Sequence, residues 1–321
     1  MLFSQELVPP LGEQRAGISV FQFLKIGVGA RAVAMGETFT AVANDASALY
    51  WNPAGLAQFS ENQVMFSHTE YVMDIKHEFA GAVYHLTPSD VVGVSVFGLH
   101  MDDMKVTTES QPLGTGEYFT VGDVALGLSY ARAMTDQFSF GVTVKYIEET
   151  LADLKMRSVL VDLGTYYWTG ISSTRFAVVV SNFGADAAPS GTATLYDGTE
   201  VSTFQSFSPP TQFKFGIAWD PLDSEGDKVT TSLELNHPND NAENVHVGVE
   251  YRWNEWLALR AGVKRTIGEP LLGEDKTSAN DITLGFGVTA PTPLSKITFD
   301  YAYANFNLLG SVHRLSLSAG F

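Results

Sequence analysis

The sequence predicts an all-β protein, a transmembrane antiparallel β-barrel of about fourteen strands. Three observations predict it. Apolar residues alternate with small or polar ones from about residue 62 to the end, the period of a strand with two unlike faces. The links between these segments are alternately short and long. Of 321 residues, 45% are apolar and only 17% charged, with 29 Gly, 21 Phe, 12 Tyr and 5 Trp. That charged share is low against the roughly one quarter of ordinary soluble domains.

The alternation defines segments near 63–71, 76–86, 90–101, 117–133, 137–149, 155–169, 174–183, 210–220, 228–237, 243–254, 256–266, 279–290, 295–306 and 311–321. In 138–148 the apolar set is Phe138, Phe140, Val142, Val144 and Tyr146, separated by Ser139, Gly141, Thr143 and Lys145. In 245–253 it is Val245, Val247, Val249, Tyr251 and Trp253, opposite His246, Gly248, Glu250 and Arg252. The second, third, sixth and seventh segments alternate less cleanly. From the second strand on, every other link is short (Thr87–Asp90, Thr135–Gln137, Gly170–Thr174, Pro221–Asp227, Asn254–Glu255, Pro291–Leu294). Among the intervening links, Asp102–Gly116, Gly184–Pro209 and Gly268–Asn280 are long. Short periplasmic turns and long external loops are the asymmetry of outer-membrane barrels.

Periodicity alone does not separate a membrane barrel from a soluble sandwich. The second face does. It is rich in Gly, Ala, Ser and Thr with scattered charges (Lys145, Lys214, Glu250, Arg252, Arg260, Asp300), as a confined lumen would be. Aromatics near strand ends (Tyr71, Tyr130, Tyr146, Tyr167, Trp168, Trp219, Trp253, Trp256) suit interfacial girdles. The last segment places Leu315, Leu317, Ala319 and Phe321 on one face, and such an ending in Phe looks like the assembly signal of outer-membrane barrels.

Other classes are disfavoured. No apolar run is long enough for a transmembrane helix. The opening MLFSQELVPP has no secretory n-region, so a signal peptide was cleaved or omitted before this numbering begins. Cysteine is absent, and a net charge of −17 argues against nucleic acid. The seven His (68, 77, 85, 100, 237, 246, 313) show no metal-binding spacing, and neither Asp102-Asp103 nor the acidic stretch Glu269–Asp281 has an ordered ligand pattern. Gly27-Val28-Gly29-Ala30-Arg31-Ala32 fits a dinucleotide fingerprint, but no βαβ alternation follows it. No nucleophile motif is present. The expectation is no catalysis, no cofactor and no metal.

Residues 17–60 differ: small residues abound and alternation disappears. Asn44 or Asp45 can cap a short turn near Ala46–Leu49, and Asn52-Pro53 then enforces extended backbone. The chain divides into an N-terminal extension 1–16, this segment 17–60 and a barrel 61–321.

The runs Gly29-Ala30-Arg31-Ala32, Met35-Gly36, Ala43-Asn44-Asp45-Ala46-Ser47-Ala48 and Tyr50-Trp51-Asn52-Pro53-Ala54-Gly55-Leu56 resemble the N-terminal hatch of FadL-type outer-membrane proteins. With Trp-Asn-Pro-Ala-Gly-Leu-Ala and so short a chain, the resemblance is to the PorV/PorQ branch. It implies a fourteen-stranded barrel in the bacterial outer membrane with the hatch folded into the lumen. Asn52, Pro53, Ala54 and Gly55 form its turn motif. Fourteen strands enclose a space too wide for wall side chains to fill, so a plug is physically reasonable. Phe21, Phe23, Leu24, Phe39 and Leu49 are candidates for an apolar pocket in it. Resemblance to this superfamily also implies that Gly93 and Gly98 can kink the third strand into a lateral opening. Exposed apolar residues of an external loop (Tyr196, Phe204, Phe207) are candidates for a partner surface. Two roles follow. In the PorV-like one, the barrel is a partner subunit of type IX protein secretion, contacting a large translocon barrel and cargo carboxy-terminal domains. In the FadL-like one, it passes hydrophobic small molecules. Either way its outer wall contacts outer-membrane lipid or lipopolysaccharide.

Overall fold

The computed structural model describes residues 17–195, 198–267, 281–291, 295–306 and 309–321. The extension 1–16, Tyr196 and the link 268–280 lie outside the described residues.

Fourteen antiparallel strands close into one barrel. They are β1 (Gln63–Glu70), β2 (Lys76–His85), β3 (Asp90–His100), β4 (Val121–Ala133), β5 (Phe138–Leu151), β6 (Leu154–Trp168), β7 (Arg175–Gly184), β8 (Gln212–Asp223), β9 (Asp227–Pro238), β10 (Asn244–Trp253), β11 (Leu257–Thr266), β12 (Asp281–Pro291), β13 (Lys296–Asn305) and β14 (Ser311–Gly320). Each pairs with its neighbours in sequence, and β1 pairs with β14 from Gln63↔Gly320 to Glu70↔His313, so the sheet has no open edge. The amide of Phe321 donates to the Asn62 carbonyl at 2.9 Å, fixing both ends of the barrel on the short-turn rim. By the usual asymmetry that rim is periplasmic and the opposite rim external.

The apolar face of each strand points outward. Phe66, Val94, Leu126, Leu128, Val144, Val159, Phe215, Val247, Leu259 and Leu317 are all exposed, while the alternate residues Ser139, Thr143, Lys145, His246, Glu250 and Arg260 are buried. An apolar belt around the whole molecule far exceeds the few hundred Å² a water-facing surface tolerates. The belt therefore faces hydrocarbon. No described helix is long and apolar enough to cross a membrane.

Two irregularities explain where the strand boundaries depart from the alternation. Between Trp219 and Leu222 the β8–β9 register shifts, so β8 continues through Pro221 to Asp223. A bulge accommodates proline, which has no N–H for the ladder. A second shift falls between Val161 and Leu163, where Asn182 takes a left-handed conformation (φ 59°) and its amide donates to Asp162 at 2.7 Å. Trp168 and Tyr71, expected in the girdles, turn inward instead. Trp168 donates to Gln58 at 2.8 Å, and Tyr71 packs edge-on against Phe306.

Candidate functional site

The lumen is filled by the hatch. From Val20 to Leu56 almost every residue is buried. Its regular elements are short: a 3₁₀ turn at Gln22–Lys25, α1 (Ala30–Ala34), α2 (Ala48–Trp51) and a second 3₁₀ turn at Pro53–Gln58. Helices this short are unstable alone. They are held by a wall shaped to receive them.

That wall is made of paired glycines. Gly248 and Gly262 sit opposite each other on β10 and β11, and a Cβ on Gly262 would lie 2.0 Å from the Gly36 nitrogen. Gly141 and Gly164 are opposite on β5 and β6. A Cβ on either would strike the Asn52-Pro53 turn, at 2.3 Å from the Pro53 carbonyl carbon and 2.2 Å from Asn52 Oδ1. The small inner residues noted in the sequence are thus seats for plug backbone. Gly29 (φ 80°) and Gly36 (φ 69°) flank α1, so the GxGxxA run serves a tight turn inside the plug rather than a nucleotide.

Asn52 is fully buried. Its Nδ2 donates to the carbonyls of Thr40 (2.9 Å) and Thr165 (3.2 Å), and its Oδ1 accepts from the Ala54 amide (3.0 Å). Asp45 turns the chain into α2 by accepting from the Ser47 amide at 2.9 Å. Ionic contacts pin the hatch to the wall. Arg31 forks onto Glu250 with two 2.9 Å bonds and reaches Asp45 at 2.7 Å. Glu250 also receives Arg260, which bridges to Asp300. Lys264 meets Glu37 at 2.9 Å, and Lys25 meets Asp240 at 3.0 Å. Burial opposes the charge on Glu37, but Lys264 and then His246 outweigh it and hold that carboxyl down to about 2.

The structure divides the candidate pocket set. Phe21 and Phe23 line an external vestibule of about 660 Å³. Leu24, Phe39 and Leu49 lie in packing instead: Phe39 stands edge-on to Trp51 (6.3 Å between centroids), and Leu49 fills the space left by Gly81 and Gly93. The lateral opening is corrected. Pairing runs without a shift from His77↔Leu99 to His85↔Val91 and from Asp90↔Arg132 to His100↔Gly122. Gly93 is small because Leu49 presses on it, and Gly98 faces outward in an unbroken ladder. The partner-loop reading also changes. Phe207 exchanges backbone bonds with Ala187 at 2.8 and 2.9 Å and packs on the core, and Phe204 is half-buried. Next to it, the Ser208 carbonyl accepts from the Val20 amide, so this loop ties down the start of the hatch. Among the described residues, the apolar loop residues that stand out most are Met73, Leu113, Ile171 and Leu309. Lone residues of this kind carry no periodic signal, and sequence reasoning passed over them. Among the described residues no cluster of three potential metal ligands forms.

A family model described as type IX secretion system protein PorV matches residues 11–239, the hatch and the strands through β9. The chain belongs to the PorV family. Among solved structures, this PorV-family chain is similar to the Pseudomonas putida toluene transporter TodX at 15% identity and a TM-score of 0.61, covering 92% of this chain and 98% of that one. It is similar to the Ralstonia pickettii toluene transporter TbuX at 14% identity and 0.57, covering 92% and 97%. It is also similar to the CymD monoaromatic hydrocarbon channel at 16% and 0.59, with the same coverage. At such identities the likeness is one of fold alone. A comparison with curated proteins finds no match.

Proposed function

We propose that this PorV-family barrel is a partner subunit of a protein-secretion machine of the type IX kind, holding secreted cargo or docking to a larger translocon barrel. The observation that carries this reading is the family match across hatch and wall. Two structural features support it. The hatch occupies the lumen through buried ion pairs, and β2, β3 and β4 pair continuously, so among the described residues no gap opens in the wall at Gly93. Affinity purification from the native host, followed by mass spectrometry, tests it. A large barrel or secreted proteins in the eluate are expected. Isolation of the barrel alone, carrying a hydrophobic small molecule, refutes it. The second reading, transport of hydrophobic compounds, is favoured by the vestibule beside Phe21 and Phe23 and by the fold shared with the toluene transporters. On either reading the apolar belt contacts outer-membrane lipid or lipopolysaccharide.

A further inference from the structure

A second, smaller cavity lies between Trp51 of the hatch and the inner faces of β8 to β11. Its volume of about 220 Å³ is below the roughly 300–1,000 Å³ of pockets for drug-sized ligands, so neither a peptide nor a long alkyl chain fits. Three lysines line it. Lys25 is paired with Asp240 and Lys264 with Glu37. Lys214 is buried with its ammonium over the Trp51 ring, 4.9 Å from the centroid, and no carboxylate among the described residues stands within ion-pair distance of it. A buried cation without a counter-charge is costly. Asn236 faces Lys214 across the β8–β9 ladder, and His246 faces Lys264 across the β10–β11 ladder. Asn236 Oδ1 and both ring nitrogens of His246 are buried with no hydrogen-bond partner. In a neutral imidazole one of those nitrogens donates and the other accepts. The cavity therefore asks four things of an occupant: negative charge at Lys214, an acceptor for the imidazole N–H, and donors for the second imidazole nitrogen and for Asn236 Oδ1. A metal cation is repelled by the lysines, water brings no charge, and chloride or sulfate brings no donor.

We propose that this cavity binds inorganic phosphate in a protonated form. Its charged oxygens accept from Lys214 and from the His246 N–H, and its hydroxyls donate to Asn236 Oδ1 and to the other imidazole nitrogen. The proposal does not depend on either reading of the barrel's role. Lys214 and His246 belong to the wall and Trp51 to the hatch, so the ion sits on the seam between them, and its binding favours the seated plug over a detached one.

The test uses the full chain in nanodiscs, equilibrium dialysis against radiolabelled inorganic phosphate at neutral pH, and sodium sulfate and sodium chloride as competitors at matched ionic strength. One phosphate per barrel is expected. Sulfate and chloride compete about tenfold or more weakly, the worth of one hydrogen bond to a charged group. Lys214→Gln and His246→Phe each weaken phosphate binding by about tenfold or more, whereas Lys155→Gln, at an exposed lysine far from the cavity, leaves it unchanged. Phosphate also slows tryptic cleavage of the hatch in the native chain, and sulfate does not. Heat-modifiable electrophoretic migration shows that each variant is a folded barrel, and the comparison of phosphate with sulfate needs no variant. Absence of retained phosphate, the result for a cavity that holds water only, overturns the proposal. Equal competition by sulfate or chloride overturns it too, because charge alone then accounts for binding. Binding that is unchanged in Lys214→Gln places the ion elsewhere and overturns it as well.

Discussion

Asn52→Ala is the sharpest test of how the hatch is held. The side chain makes three hydrogen bonds, two within the hatch (Thr40 carbonyl, Ala54 amide) and one to the β6 wall (Thr165 carbonyl). Alanine leaves the Thr40 carbonyl and the Ala54 amide buried without the partner they have. Each such group costs about 1–3 kcal/mol, so the loss for two is about 3 kcal/mol, a change of roughly a hundredfold in the population of detached hatch. The wall itself keeps its ladder, because no β-strand hydrogen bond runs through this side chain. Limited trypsin digestion in nanodiscs reads the difference: cleavage at Lys25 and Arg31 accelerates while the barrel fragment stays intact. Planar-bilayer recording reads it independently, as openings rare in the native protein become frequent. Unchanged cleavage and conductance would refute the view that this turn anchors the plug, leaving the ion pairs to do so.

Other consequences follow from the same geometry. Gly262→Val places side-chain atoms against the Gly36 backbone. Overpacking of this kind costs about 1–3 kcal/mol, so thermal unfolding followed by far-UV circular dichroism shifts to lower temperature, whereas Gly98→Val, whose added Cβ would meet only the Asp123 carbonyl at 3.6 Å, leaves it unchanged. The Glu37 carboxyl, held down to about 2, stabilises the hatch above its ordinary value of 4.5, and that contribution is lost as pH falls from near 4.5 towards 2. It amounts to about 3 kcal/mol. Trp51 fluorescence titrated with acid checks it, and Glu37→Gln removes that part of the transition. On the belt, Leu128→Arg at mid-strand of β4, where the side chain is 63% exposed, destabilises the barrel in liposomes by about 2–4 kcal/mol, measured by urea unfolding.

Much of the barrel was legible because its rule is local. A strand that separates lipid from lumen writes its two faces into successive residues, so strand number and approximate boundaries follow from alternation, and the outward position of Val247 or Phe215 from the small, polar make-up of the face opposite. The hatch motif was also readable as a specific run around Asn52-Pro53. The purpose of the small inner residues was not. Gly141 and Gly164 are 23 positions apart in the chain, and only strand register sets them side by side beneath one turn. The same holds for Gly93, which reads as a kink in isolation and is a space for Leu49 in the fold. Phe207 reads as an exposed loop aromatic, yet the path of the loop turns it inward.

By itself the sequence determined the barrel, its strand count and its outward face, since each depends on neighbours one or two residues away. Only tertiary structure decided that Arg31 meets Glu250, that the wall near Gly93 is closed, and that the Asn52-Pro53 turn seats on Gly141 and Gly164. Charge pairing and cavity shape depend on which distant residues closure brings together, and closure is a property of the whole sheet.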